Sequence, residues 1–398
     1  MSMRYPAGFI RPGYDPLKNP DAPTAVTPTA GDASASVAFT PPANVGGSAI
    51  SAYNVIASTG GTFVSNTSGV SPPVSVTGLT NGTAYTFQVW ALNTYGSGPF
   101  SAASGSVTPA SIRGLFGGGA TTGNVSSATI DYIAIASTGN AASFGNLTVA
   151  RRELGACASS SRGLFGGGTT DSYSNVIDYV TIASTGNAID FGDLVSTSAG
   201  VRACSSSTRG VFGAAYRVLQ SAYVTIASTG NATDFGALTV ARYEAASCAS
   251  PVRGIFCGGG GDGVNSSGYY NIIDYITIAT TGNAIDFGDL SSVRQTNAAC
   301  SSATRGIIAG GLNAVTLTNV IQYVTIATTG NAIDFGDLLS ETAGLCGTSS
   351  SIRGVFAGAN NVIQYITIAS TGDSLDFGDL TIAKTSPAAC SNAHGGLA

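Results

Sequence analysis

The sequence predicts an all-β protein: an extended segment over residues 1–21, a β-sandwich over 22–109 and a six-bladed β-propeller over 110–398. Three observations carry this. An Arg-Gly anchor returns six times from Arg113 onward. The runs between anchors are short, rich in Val, Ile, Thr, Tyr and Phe, and bounded by Gly or Asn. Only 9% of residues are charged while 54 are glycine, a composition suited to tightly turned sheets with an uncharged polar surface.

Composition also limits function. With 43% apolar residues over 398 positions, the chain can bury sizeable cores. Its 16 Lys+Arg against 21 Asp+Glu lack the basic excess that a phosphate backbone demands, so nucleic acid is not an expected partner. Thr, Ser, Asn or Asp interrupts every apolar stretch before the ~20 residues of a membrane span, so no membrane insertion is expected. The start, Met1-Ser-Met-Arg-Tyr-Pro-Ala-Gly, has no apolar signal core, and the expected site of synthesis is a cytoplasm, with release by lysis.

The anchors are Arg113-Gly-Leu-Phe-Gly, Arg162-Gly-Leu-Phe-Gly, Arg209-Gly-Val-Phe-Gly, Arg253-Gly-Ile-Phe, Arg305-Gly-Ile-Ile and Arg353-Gly-Val-Phe, spaced 49, 47, 44, 52 and 48 residues apart. Each is followed by a variable polar loop, a segment like Val176-Ile-Asp-Tyr-Val-Thr-Ile-Ala, a Thr-Gly-Asn stretch, and a segment like Ala188-Ile-Asp-Phe-Gly-Asp-Leu. A small-residue run containing Cys leads to the next anchor. Each repeat reads as a four-stranded antiparallel meander. Gly and Asn in Thr185-Gly-Asn187 and its counterparts tolerate positive φ, so tight hairpins are expected there. The strand from Val176 has apolar groups on both sides, as a blade between two neighbours requires.

These residues resemble the kelch repeat, with its period of ~50, Gly-rich second strand and Tyr-bearing third strand. The resemblance covers residues 112–398, with Phe144, Phe191, Phe235, Phe287, Phe335 and Phe377 standing where kelch repeats carry Trp. The phrasing also resembles repeats in virion proteins of tailed phages, especially cyanophages. That resemblance implies a virion protein, present in multiple copies and assembled in the host cytoplasm. The run Ser386-Pro-Ala-Ala-Cys-Ser-Asn has the pattern of an inner strand, whereas nothing like it precedes Arg113. It is therefore expected to complete the first blade and leave no open sheet edge.

Ahead of the repeats, Ala35-Ser-Val-Ala-Phe-Thr-Pro-Pro, Val76-Thr-Gly-Leu79 and Thr83-Ala-Tyr-Thr-Phe-Gln-Val-Trp-Ala-Leu-Asn93 resemble a fibronectin type III domain. Tyr85 and Leu79 match its core positions, Phe39 replaces the usual buried Trp, and Trp90 lies elsewhere. In residues 1–21, Tyr5, Phe9, Ile10 and Tyr14 lie among four prolines. Such a segment reads either as a disordered tail or as an extended anchor for another virion protein.

No catalytic, cofactor or metal site is expected. The single histidine, His394, reads as an ordinary polar residue near the last strand. Cys157, Cys204, Cys248, Cys300, Cys346 and Cys390 occur once per repeat before the anchor position and read as small buried hydrophobes; Cys257 reads as free and as the one thiol, at most, that could react in the folded chain. The pairs Asp190/Asp193, Asp286/Asp289, Asp334/Asp337 and Asp376/Asp379 recur, as turn devices do. They read as turn caps or partners for Arg, with calcium the alternative.

Variation points to one face. In a meander, the loops joining strands two and three emerge beside those leading to the next blade, and these vary strongly in length. They carry Tyr173, Tyr216, Asp262, Tyr269 and Tyr270, flat faces and polar groups suited to host-surface glycan. The expected function is a tail or baseplate fibre or adhesin. A capsid-attached decoration without ligand is the alternative. A glycan-processing enzyme would need converging carboxylates at the hub, where the inner strands offer Cys, Ser and Ala.

Overall fold

The computed structural model describes residues 17–261 and 268–397, so Tyr5, Phe9, Ile10, Tyr14 and Asp262 lie outside the described residues. The chain divides into two compact units between Ser111 and Ile112.

In the first unit, period-two alternation builds two facing sheets. Thr24–Gly31, Ser34–Thr40 and Val74–Thr77 form one; Thr62–Gly69, Ala52–Thr59, Thr86–Asn93 and Gly96–Ser97 form the other. Val37, Phe39, Phe87 and Val89 point into the core, where Phe39 packs on Tyr53 at 4.9 Å between ring centroids. Trp90 points away from that core and meets Phe100 edge-on. The Tyr85 hydroxyl accepts the Thr80 N–H at 3.0 Å, pinning a corner of the sandwich.

Among its described residues, the second unit contains six four-stranded antiparallel sheets. The second sheet shows the plan: Gly155–Ala158, Arg162–Gly166, Ser174–Thr181 and Ile189–Ser198 pair in that order. The third to sixth sheets begin at Arg202, Ala246, Ala298 and Leu345. The first sheet takes its innermost strand from the far end of the chain: Ala388–Ser391 pairs with Arg113–Gly117, Cys390 opposite Leu115. Each innermost strand neighbours the next, and Ala388–Ser391 neighbours both Leu345–Ser349 and Gly155–Ala158, so the order of neighbours returns to its start.

The repeated residues join sheets to one another. Every anchor Arg stacks on the third-strand Tyr of its own sheet, Arg162 on Tyr179 for example, at 4.3–4.8 Å. Each then donates to a backbone carbonyl of the following sheet: Arg113 to Ile182, Arg162 to Ile226, Arg209 to Ile278, Arg253 to Ile326, Arg305 to Ile368 and Arg353 to Ile135. The anchor Gly makes room for a neighbour. A Cβ added at Gly210 would sit 2.6 Å from the Cys157 sulfur of the preceding sheet, and one at Gly306 would sit 2.8 Å from that of Cys248. The fourth-strand residues Phe144, Phe191, Phe235, Phe287, Phe335 and Phe377 are buried, edge-on to the same tyrosines at 5.9–6.1 Å.

Several expectations need correcting. Thr-Gly-Asn does not form a tight hairpin: the chain turns earlier, with Ser184 N–H bonding Thr181 O, and the Asn reaches the preceding sheet. There its side-chain oxygen accepts a backbone N–H at 3.0 Å, as Asn231 does from Asp193 and Asn283 from Ala237. That second position of the Asp-Phe-Gly-Asp phrase therefore serves through its backbone, which explains why Asn146 and Ala237 substitute for Asp. No ion pair among the described residues involves the Asp190/Asp193 set, and no cluster of ligating side chains gathers there.

Cys346 is not in register with the other repeat cysteines. It faces Ala357, while Thr348 takes the sulfur's place opposite Val355, with its methyl against Gly114. Cys257, expected to be the one thiol that could react, is fully buried behind the anchor of the fourth sheet. Burial pushes these thiols up, Cys248 and Cys346 to about 12. All seven cysteines are free and buried. Native thiol titration is thus expected to find none reactive and titration in denaturant all seven; a fast-reacting thiol in the folded protein would contradict this packing.

Finally, the third strand does not simply alternate. A register shift recurs in all six sheets, between Ile177 and Asp178 in the second, and buries both residues. In three sheets the second of these is a carboxylate with a buried cation. Arg151 Nη2 lies 2.5 Å from Asp178, Arg242 2.9 Å from Asp274 and Lys384 3.0 Å from Asp131, all with side chains no more than 1% exposed.

Candidate functional site

The segments that follow each fourth strand meet around a narrow cavity lined by all six innermost strands. Their residues Glu153, Gly200, Glu244, Thr296, Gly344 and Ser386 all have positive φ, between 48° and 73°. The segments bond one to the next: Val201 N–H to Glu153 O, Glu244 to Gly200, Thr296 to Glu244, Gly344 to Thr296, Ser386 to Gly344 and Glu153 to Ser386. The backbone geometry is shared by all six, so it belongs to the architecture; what differs is the side chain.

Glutamate occurs at two of these positions, either side of the third sheet, whose innermost strand begins with Arg202. Desolvation raises the Glu244 carboxyl to about 7, with Arg202 pulling it down and Glu153 pushing it up. Burial in turn lowers Arg202, against the opposing pull of Glu244 and Glu153. Arg202 lines the cavity, donates to Val201 O and lies within electrostatic reach of both carboxyls, while Glu153 itself pairs with its neighbour Arg152 at 3.7 Å. Arg202 replaces a small residue at the head of an inner strand, so these strands offer more than the Cys, Ser and Ala expected; they carry no carboxylate, and Glu153 and Glu244 belong to the connecting segments.

The aromatics gather in the same sector. Tyr173 and Tyr216 pack edge-on at 5.7 Å, and Tyr216 and Tyr243 at 5.1 Å, forming a row. Tyr173 is 46% exposed, and the Arg217 guanidinium lies over Tyr216 at 5.1 Å. Tyr269 joins them: its backbone and that of Tyr243 both bridge to Gly260. The Tyr243 hydroxyl is raised first by burial and then by Glu244, Tyr216 and Tyr269. Tyr270 is half-buried and lies within electrostatic reach of Arg242.

The structure thus unites three expected residues, Tyr173, Tyr216 and Tyr269, with four that sequence reasoning missed: Tyr243, Glu153, Glu244 and Arg202. A signal existed in the parallel phrases Leu147-Thr-Val-Ala-Arg-Arg-Glu153 and Leu238-Thr-Val-Ala-Arg-Tyr-Glu244, whose last residues occupy equivalent places. The arrangement offers aromatic faces, hydroxyls and charges of both signs, the groups that hold a polyhydroxylated ligand.

A second cavity at the opposite end of the inner strands contains His394. The Nδ1 of His394 accepts the Gly396 N–H at 3.1 Å, which places the proton of the neutral ring on Nε2, 3.0 Å from Ala158 O. Nε2 also lies 3.2 Å from Ser205 Oγ, yet in this tautomer it has no lone pair to take the serine's proton. Burial favours the neutral ring. His394 is a structural residue that seats the last segment against the innermost strands, more than the ordinary polar residue expected.

Residues 21–106 match the fibronectin type III domain, so the first unit carries a domain of that family. A search of curated proteins finds no match to the chain.

Proposed function

We propose that the chain is a non-catalytic virion protein of a tailed phage, a tail or baseplate fibre or adhesin that binds host-surface glycan. In this reading the six sheets are the blades of a closed, kelch-like propeller. Support for closure comes from the returning order of neighbours and from the Arg, Gly and Asn contacts that link each sheet to the next and the sixth to the first. The phage assignment rests on the resemblance of the repeats, and residues 1–21 are assigned the docking role toward other virion proteins.

One observation carries the recognition role: the tyrosine row and the Glu153, Arg202 and Glu244 charges fall in the same sector, on segments whose counterparts in the other sheets lack them. Drifting loops have no reason to concentrate aromatics and opposed charges in one place. Locating the chain in intact particles and measuring adsorption of particles carrying Tyr216→Ala and Tyr243→Ala tests this. Tail density with adsorption reduced at least tenfold is expected; capsid density with unchanged adsorption would favour a decoration protein instead.

A glycan-cleaving site is the second reading, favoured by Glu244, whose raised carboxyl suits a general acid beside Glu153. Release of reducing ends from host polysaccharide, lost in Glu244→Gln, would establish it in place of simple binding.

A further inference from the structure

In the first, second and fourth sheets, the segment arriving from the preceding sheet folds over the third strand. It lays a Thr and a cation on the buried Asp: Thr148 and Arg151 on Asp178, Thr239 and Arg242 on Asp274, Thr381 and Lys384 on Asp131. In the fifth, Arg294 reaches the Gly310 and Val320 carbonyls; in the sixth, Gln364 accepts from Leu339 N–H and Ser374. The third sheet has neither partner. Ser198 stands in the cation's place and Ala222 in the carboxylate's.

The covering segment is also diverted. The fourth strand of the second sheet runs on to Ser198 as a ten-residue strand, where the other sheets have five, and pairs Ser198 with Ser174 of its own sheet. The space it vacates over the third sheet is a cavity of about 200 Å³. Its interior is Leu194, Val201, Phe212, Ala215 and Ala222, each 8% exposed or less, with the neutral polar Ser196, Ser198 and Gln220 also on its wall. Exposed Val195 and Asp234 lie at the rim, so the cavity opens to solvent.

We infer that this cavity is a binding site for a small uncharged hydrophobe, an aromatic ring of benzene to indole size. Water finds few partners along the apolar part of the wall, while a ring there gains dispersion contacts, as it does in an apolar cavity of about 150 Å³ that takes up one benzene. Nothing buried in the wall compensates a charge, since the Asp of the sister sheets is Ala222 here. Cations that the sister sites hold are therefore excluded.

The full chain is titrated with indole and with benzene, followed by saturation-transfer NMR and melting temperature. Saturable binding at millimolar concentration or below is expected, with a rise in melting temperature. Two variants locate it. Ala222→Leu fills the cavity from within, and Val195→Trp obstructs the exposed rim without touching the core; each is expected to weaken binding at least tenfold. Tyr173→Ala and Tyr216→Ala are expected to leave it unchanged, which separates this cavity from the tyrosine row. Absence of binding to the wild-type chain overturns the inference, as does binding that survives Val195→Trp and any folded Ala222→Leu, or that follows the tyrosines.

Discussion

Asp178→Ala is expected to destabilise the chain by about 3–5 kcal/mol, because it strands the Arg151 guanidinium in the interior with no countercharge. The Arg151 side chain is wholly buried; its Nη1 donates to Gly167 O and Val176 O, and only Asp178 balances its charge. At 2–4 °C per kcal/mol, melting should fall on the order of 10 °C. Arg151→Met with Asp178→Leu should recover most of the loss, since neither desolvated charge remains. The third sheet already carries the apolar version of this position in Ala222. If Asp178→Ala melts with the wild type, the pair is not the buried unit described.

Deleting residues 388–398 is expected to have a larger effect, leaving the protein insoluble or melting well over about 10 °C lower. The deletion removes the partner strand of Arg113–Gly117 and exposes its edge. It also withdraws Cys390, whose sulfur lies 3.0 Å from a Cβ placed on Gly163, and the His394 contact to Ala158. A soluble variant with an unchanged melting curve would mean that the last strand adds little to the sheet it completes.

How much of this was legible depended on whether a signal repeats. Arg-Gly, Tyr and Phe recur at fixed offsets because each contact between sheets is made six times, so strands and their order could be read from one chain. Offsets also misled. Cys346 seemed equivalent to its fellows, yet it lies seven residues before its anchor rather than five, and pairing decides that Thr348 fills the place. The buried Arg and Asp were illegible as partners because they sit 27 residues apart, the Arg in a connecting segment and the Asp in a third strand, and the Asp is hidden by a bulge that breaks the alternation.

The candidate site was legible in kind but not in membership. Variable loops and their tyrosines marked the face, whereas Glu153, Glu244 and Arg202 lie in segments that otherwise resemble the common repeat. Only the meeting of segments from different sheets makes a site of them.

The central claim is that this sector recognises glycan, and direct binding tests it best. The purified full chain is titrated with polysaccharide from the host surface by calorimetry, beside a variant combining Tyr173→Ala, Tyr216→Ala and Tyr243→Ala whose melting temperature matches the wild type. Saturable binding that weakens at least tenfold in the variant, without release of reducing ends, is the predicted result. Absence of binding by the wild-type chain, or equal binding by the two, would contradict the account.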